Sequence, residues 1–208
     1  MATFTRPPIG ARLSAVAESQ QGYFTRAQAV RECVGDMALQ RALKSGAIER
    51  LDYGVYRIAG AGYDPHQQLR AAWLRLTPEL SARERTLRPH LWVSHRSAAG
   101  LFDLGVAIAD VPEFISDRRL QARANVKIHL RSRGLKREEW TVYDGFAVTT
   151  PARTIADLAA DHMDGGHLGR IASEALARGL TTEAEVEEAL EGRVDLAAIL
   201  ELATGKMR

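Results

Sequence analysis

Gln40, Arg41 and Lys44 lie within one turn of a helical stretch, MALQRALKS, and point away from the apolar side of Met37, Leu39 and Leu43. Arg and Gln can each hold a base edge through two hydrogen bonds, and Lys neutralises phosphate. A few residues on, in IERLDYGVYRI, Arg50 and Arg57 sit on two strand-like runs with Tyr53 in the polar turn between them. Side chains so placed suit phosphate contacts, which position a protein on a duplex without reading its sequence. Arg26, at the start of a preceding helical segment, suits a further phosphate. The chemistry these residues can do is DNA recognition.

A second basic stretch holds Arg118, Arg119, Arg123, Lys127, Arg131 and Arg133. It could lengthen a DNA footprint or meet an acidic protein surface. The net charge of +2 hides a strong asymmetry: residues 1–60 carry +3, residues 61–136 carry +6 and residues 137–208 carry −7. A basic front joined to an acidic end points to a polyanionic partner for the front.

Bond-making chemistry is poorly represented. Arg153 and Asp157, four apart in PARTIADLA, read as an ion pair along a helix rather than a catalytic pair. His90 and His95 are five apart, as are His162 and His167, and neither spacing places both rings on one helix face. With one cysteine, Cys33, and no Cys/His cluster, neither a metal site nor a disulfide framework is expected, and a reducing cytosol is. GHLGRIA is too loose a match for a phosphate loop, so no cofactor is expected and no catalytic residue is assigned.

The elements that must position these groups follow from periodicity and caps. The 208 residues, 46% hydrophobic and 26% charged, suit a globular protein of one or two domains. No apolar run approaches the roughly 18 residues of a membrane span, and MATFTRPPIGARL lacks the apolar segment of a secretory signal. Ile9, Leu13, Val16 and Ala17 form one helical face, and Gly22 ends that helix. Thr25 and Gln28 make a capping box for a second helix, with Ala27, Val30 and Val34 inward. Asp36 caps a third helix, which stops at Gly46. Ile48–Leu51, the turn Asp52-Tyr53-Gly54 and Val55–Ala59 make a hairpin. Three helices and a two-stranded wing make a winged helix-turn-helix over residues 1–60, whose third helix would enter a major groove beside the wing.

Gly60–Gly62 reads as a linker to a second domain, 63–208. There Asp64-Pro65 opens a helix, residues 77–90 read as a loop, and Ser94 caps a helix through HRSAAGLFDL. Strands are expected at Glu113–Ser116, Val126–Leu130, Trp140–Tyr143 and Phe146–Thr149, the last pair joined by Asp144-Gly145. Pro151 starts a helix, and two or three more fill 167–203, with a capping box at Thr182 and Glu185. The class is α+β, a winged helix-turn-helix followed by an α+β domain with a small, mostly antiparallel sheet and a helical end.

GYFTRAQAV…ALKSGAIERLDYGVYRI resembles the N-terminal winged helix of AbiEi-type antitoxins, and SHRSAAGLFDLG…VKIHL…DGFAVTTPARTIADLA resembles their second domain. The resemblance implies the antitoxin of a type IV toxin–antitoxin pair. Its winged helix would bind inverted repeats in its own promoter and repress the operon. Its second domain would neutralise an AbiEii-type nucleotidyltransferase toxin. Some relatives add an endonuclease-like domain, but no carboxylate-plus-Glu-x-Lys core is present here. Two alternatives stay open. One is a transcription factor with no toxin partner; the other is an antitoxin that promotes phosphorylation of its toxin, for which no motif speaks.

Overall fold

The computed structural model describes residues 9–106, 109–121 and 125–203. The chain divides into two compact units, Met1–Arg88 and Pro89–Arg208.

In the first unit the order is α1 (Ile9–Glu18), β1 (Tyr23–Thr25), α2 (Arg26–Arg31), α3 (Asp36–Lys44), β2 (Ile48–Asp52), β3 (Val55–Ile58), α4 (Gln67–Leu76) and α5 (Ala82–Leu87). The Thr25 hydroxyl accepts from the Gln28 amide and the Gln28 side chain accepts from the Thr25 amide, so the expected capping box starts α2. At the end of α3 Gly46 takes φ +70°, and the Gly46 and Ala47 amides donate to the Leu43 and Ala42 carbonyls. This is the Schellman closure that only a residue free to turn left-handed makes cheaply. The wing turns at Gly54, φ +69°.

Leu13, Ala17, Phe24, Ala29, Val34, Leu39, Ala42, Ile48 and Tyr56 form the core under the three helices, with Phe24 and Tyr56 stacked at 5.5 Å. Burying each large side chain there contributes about 1.5–3 kcal/mol.

Several expectations need correction. Val30 and Met37 are 49% and 77% exposed; the buried side of α2 is Gln28 and Ala29, and that of α3 is Leu39 and Ala42. Gly35, not Asp36, holds the cap position of α3. The wing sheet has three strands, β1-β3-β2, because β1 pairs antiparallel with β3.

Residues 77–90 are not all loop. Ser81 and Glu84 make a capping box that starts α5. Nor does the unit end at Gly60–Gly62. Tyr23 and Val55 pack with Ala71 and Leu74 of α4, giving the sheet a second covered face. Gln28 donates to the Leu80 carbonyl, Thr25 to the Pro78 carbonyl, and the buried Arg85 to Thr77 and Gln20. The winged-helix-like arrangement is therefore held from behind by α4 and α5.

The second unit contains β4 (Leu91–Val93), α6 (His95–Leu101), β5 (Glu113–Ser116), β6 (Lys127–Leu130), β7 (Trp140–Tyr143), β8 (Phe146–Thr149), α7 (Pro151–Ala160), α8 (Gly165–Ala177), α9 (Glu183–Leu190) and α10 (Leu196–Ala203). The sheet order is β6-β5-β4-β8-β7. β4/β5 and β7/β8 pair antiparallel, the second as a hairpin, while β5/β6 and β4/β8 are parallel. The sheet is thus mixed in direction, with β4 inserted between β5 and β8. Phe114, Phe146 and Val148 of the sheet and Ile155 and Leu158 of α7 are buried, and the helical end follows as expected.

Candidate nucleic-acid interface

The α3 side chains stand as expected. Gln40, Arg41 and Lys44 are exposed, opposite the buried Leu39 and Ala42. The Arg41 guanidinium holds its own helix, Nε donating to the Met37 carbonyl at 3.3 Å. Met37 shares this exposed face and was not among the expected contacts. An apolar side chain there is chemically suited to a thymine methyl.

The wing residues divide. Tyr53 is 63% exposed at the turn, its amide donating to Asp52 Oδ1 at 2.6 Å. Arg50 is exposed, with its guanidinium 5.8 Å from the Tyr53 ring centre, so the tip presents a cation over an aromatic face. Arg57 is only 8% exposed. Its guanidinium lies 4.9 Å from the Tyr23 ring centre and donates to the Gly62 carbonyl. The cause is register: Arg57 faces Tyr23 of β1, on the sheet face that α4 covers, and β1 was not anticipated. The expected phosphate contact from Arg57 is therefore not offered at the surface of this unit.

Arg26 is exposed but engaged. Its Nε and Nη2 donate to Asp36 Oδ1 and Oδ2 at 2.7 and 2.6 Å, joining the starts of α2 and α3. That pair raises Arg26 and lowers the Asp36 carboxyl, both through the shared hydrogen bond.

Two further cations of this unit, Arg70 and Arg85, are buried. Arg70 Nε donates to Asp64 Oδ2 at 2.8 Å, and the Tyr23 hydroxyl donates to the same oxygen at 2.8 Å. Burial pushes the Asp64 carboxyl up, but the hydrogen bonds from Arg70, Tyr23 and the His66 amide outweigh it and hold the group below the ordinary range. Arg85 is held by Thr77 and Gln20 rather than by an acid, and burial draws it down to about 9.

Three of the six cations in the basic stretch of the second unit hold an acid. Lys127 bonds Asp161 at 2.8 Å, Arg131 reaches Glu139 at 3.2 Å and Arg118 bonds Asp117 at 2.9 Å. Arg119 and Arg133 are exposed, and Arg123 lies outside the described residues. Arg131 also lines a cavity of about 270 Å³ with Arg153, Asp157, Leu190 and Arg193. There Arg153 donates to Asp157 Oδ1 at 2.6 and 2.8 Å and to Glu139 at 2.6 Å, the helix ion pair its spacing suggested. Burial pushes the Asp157 carboxyl up against that pairing. Also in this unit, burial first and the neighbouring His129 second push His95 down to about 3, leaving a neutral imidazole.

No described helix is long and apolar enough to cross a membrane.

Comparison with known proteins bears on the first unit most directly. Residues 11–59 match the family described as transcriptional regulator, AbiEi antitoxin. Among solved structures, the RV2827C protein from Mycobacterium tuberculosis superposes with a TM-score of 0.57 at 14% identity, covering 97% of this chain and 83% of that one. At that identity the likeness is one of fold. A search among curated proteins finds no match. Over residues 11–59, the segment that holds α3 and the wing, this chain is similar to the AbiEi antitoxin family of transcriptional regulators.

Proposed function

We propose that this protein is the antitoxin of a type IV toxin–antitoxin pair and represses its own operon. The observation that carries the reading is the exposed face of Gln40, Arg41 and Lys44 on α3 within the family-matched segment. α3 enters the major groove of inverted repeats in the promoter, where Arg41 and Gln40 hold base edges and Met37 meets a methyl group. Lys44 contacts phosphate. Arg50 and Tyr53 at the wing tip meet the adjoining backbone, while Arg26 stays paired with Asp36. The second unit neutralises the toxin, an AbiEii-type nucleotidyltransferase, with no catalytic step assigned to this chain. Support for the partner comes from the family alone.

The test uses the full chain and two readouts. A reporter behind the promoter of its own gene should be repressed, and growth of cells expressing the neighbouring gene should be restored. Arg41→Ala with Lys44→Ala should abolish the first and spare the second. Repression that survives the double variant, or a neighbouring gene that is harmless alone, would refute the corresponding half of the proposal.

A further inference from the structure

His95, Glu113 and His129, separated in sequence, meet in the second unit. One ligand atom from each lies within 4.8 Å of the other two. His129 Nε2 stands 3.4 Å from Glu113 Oε2, and the two imidazoles stack at 3.6 Å between centres with planes 10° apart. His95 and Glu113 are both 5% exposed, while His129 is partly exposed on the terminal strand β6.

Three features are hard to explain as ordinary packing. The Glu113 carboxylate is buried, yet its nearest partners are loose: His129 Nε2 at 3.4 Å and Lys127 Nζ at 3.9 Å, both longer than a charge-assisted hydrogen bond. Lys127 itself is committed to Asp161 at 2.8 Å. A buried carboxylate so poorly paired is costly. His95 takes φ +51° at the first position of α6, a left-handed conformation that a bulky side chain adopts only where its surroundings impose it. Ser94, in the cap position, makes no capping bond to α6; its hydroxyl instead meets His95 Nδ1 at 2.9 Å. That contact fixes the ring and leaves Nε2 for another partner, as the outer-shell hydrogen bond of a metal-ligating histidine does.

We propose that His95, Glu113 and His129 bind a divalent ion of the zinc class. Two imidazoles and one carboxylate form a donor set zinc accepts, with a fourth position left to water. Ligand atoms bonded at about 2.0–2.1 Å in tetrahedral geometry stand roughly 3.3 Å apart. The His129–Glu113 separation already meets that distance. The remaining closure falls to His129 on its edge strand, whose ring leaves the stack as it turns toward the ion. Bound there, the ion fastens the start of α6 to β5 and β6, and Lys127 stays on Asp161.

The probes are zinc(II) and cobalt(II) added to the chelator-stripped full chain. Isothermal titration should give one zinc per chain, and cobalt should produce the visible absorption of a tetrahedral site. His129→Ala and Glu113→Gln should each weaken zinc binding at least tenfold and abolish the cobalt band. Cys33→Ser and His167→Ala should change neither. His129 is partly exposed on an edge strand, so its variant is expected to fold, and circular dichroism checks this. Absence of zinc binding by the wild-type chain, or equal binding by the folded His129→Ala variant, would overturn the proposal.

Discussion

The α3–wing face of the first unit and the basic stretch 118–133 in the other unit are alike as sequence and differ in three dimensions. On α3, Gln40, Arg41 and Lys44 face outward, and among the described residues Arg41 bonds a carbonyl of its own helix. In the second unit, Lys127, Arg131 and Arg118 each already hold an acid. The same division runs inside the first unit, where Arg50 is exposed while Arg57, Arg70 and Arg85 are buried. A count of basic residues therefore overstates the interface. What decides is whether a guanidinium or ammonium faces water without a carboxylate at hydrogen-bond distance, because only such a group gains a phosphate without first losing an acid.

The largest effect expected is on stability, from the buried cations. Removing one partner of the Asp64–Arg70 pair, as in Arg70→Ala, should cost about 3–5 kcal/mol in urea denaturation. The DNA affinity of the fraction still folded should not change. A cost under about 1 kcal/mol would mean that this cation is not a structural part of the unit. The pair also sets a pH dependence. The folded Asp64 carboxyl is held below its ordinary range, so its contribution is full above the unfolded value of about 3.9 and lost as pH falls through the folded value. The stability gap between wild type and Asp64→Asn should therefore be widest near neutrality and shrink in acid.

Next comes Arg41→Ala. It should lower the preference for the chain's own promoter over random DNA by about 1–3 kcal/mol, measured on the two duplexes in parallel. A smaller effect belongs to Arg50→Ala, which should weaken both duplexes alike and flatten the slope of log affinity against log salt by about 0.9. Arg57→Ala sharpens the contrast on the same hairpin: the midpoint of unfolding should fall while the salt slope stays at the wild-type value. The smallest effect is expected from Lys127→Ala, whose ammonium already holds Asp161; a drop in salt slope near about 0.9 there would return the second basic stretch to the DNA footprint.

Much of the framework was legible because it is local. The capping boxes at Thr25–Gln28 and Thr182–Glu185, Pro151 at the start of α7, Gly46 and Gly54 all act through neighbours within a few residues. The strands Glu113–Ser116, Trp140–Tyr143 and Phe146–Thr149 were bounded correctly. What escaped depends on distant partners. β1 and β4 are three residues each, too short for alternation to show, and exist because β3 and β5 accept them. Missing β1 hid the burial of Arg57, since it is Tyr23 across the ladder that covers the guanidinium. α5 did carry a local signal, Ser81 followed by Glu84, masked by the polar and basic run around it. The His95–Glu113–His129 cluster lay beyond any spacing rule, because its members come from a helix and two strands.

The central claim is that α3 reads DNA through its exposed polar face. The most direct measurement is a salt titration by fluorescence anisotropy of the full chain and its Arg41→Ala, Lys44→Ala double variant on promoter and random duplexes. The account predicts that the variant stays folded, loses its preference for the promoter and shows a salt slope flatter by about 1–2. A folded double variant that keeps both the wild-type preference and the wild-type slope would contradict it.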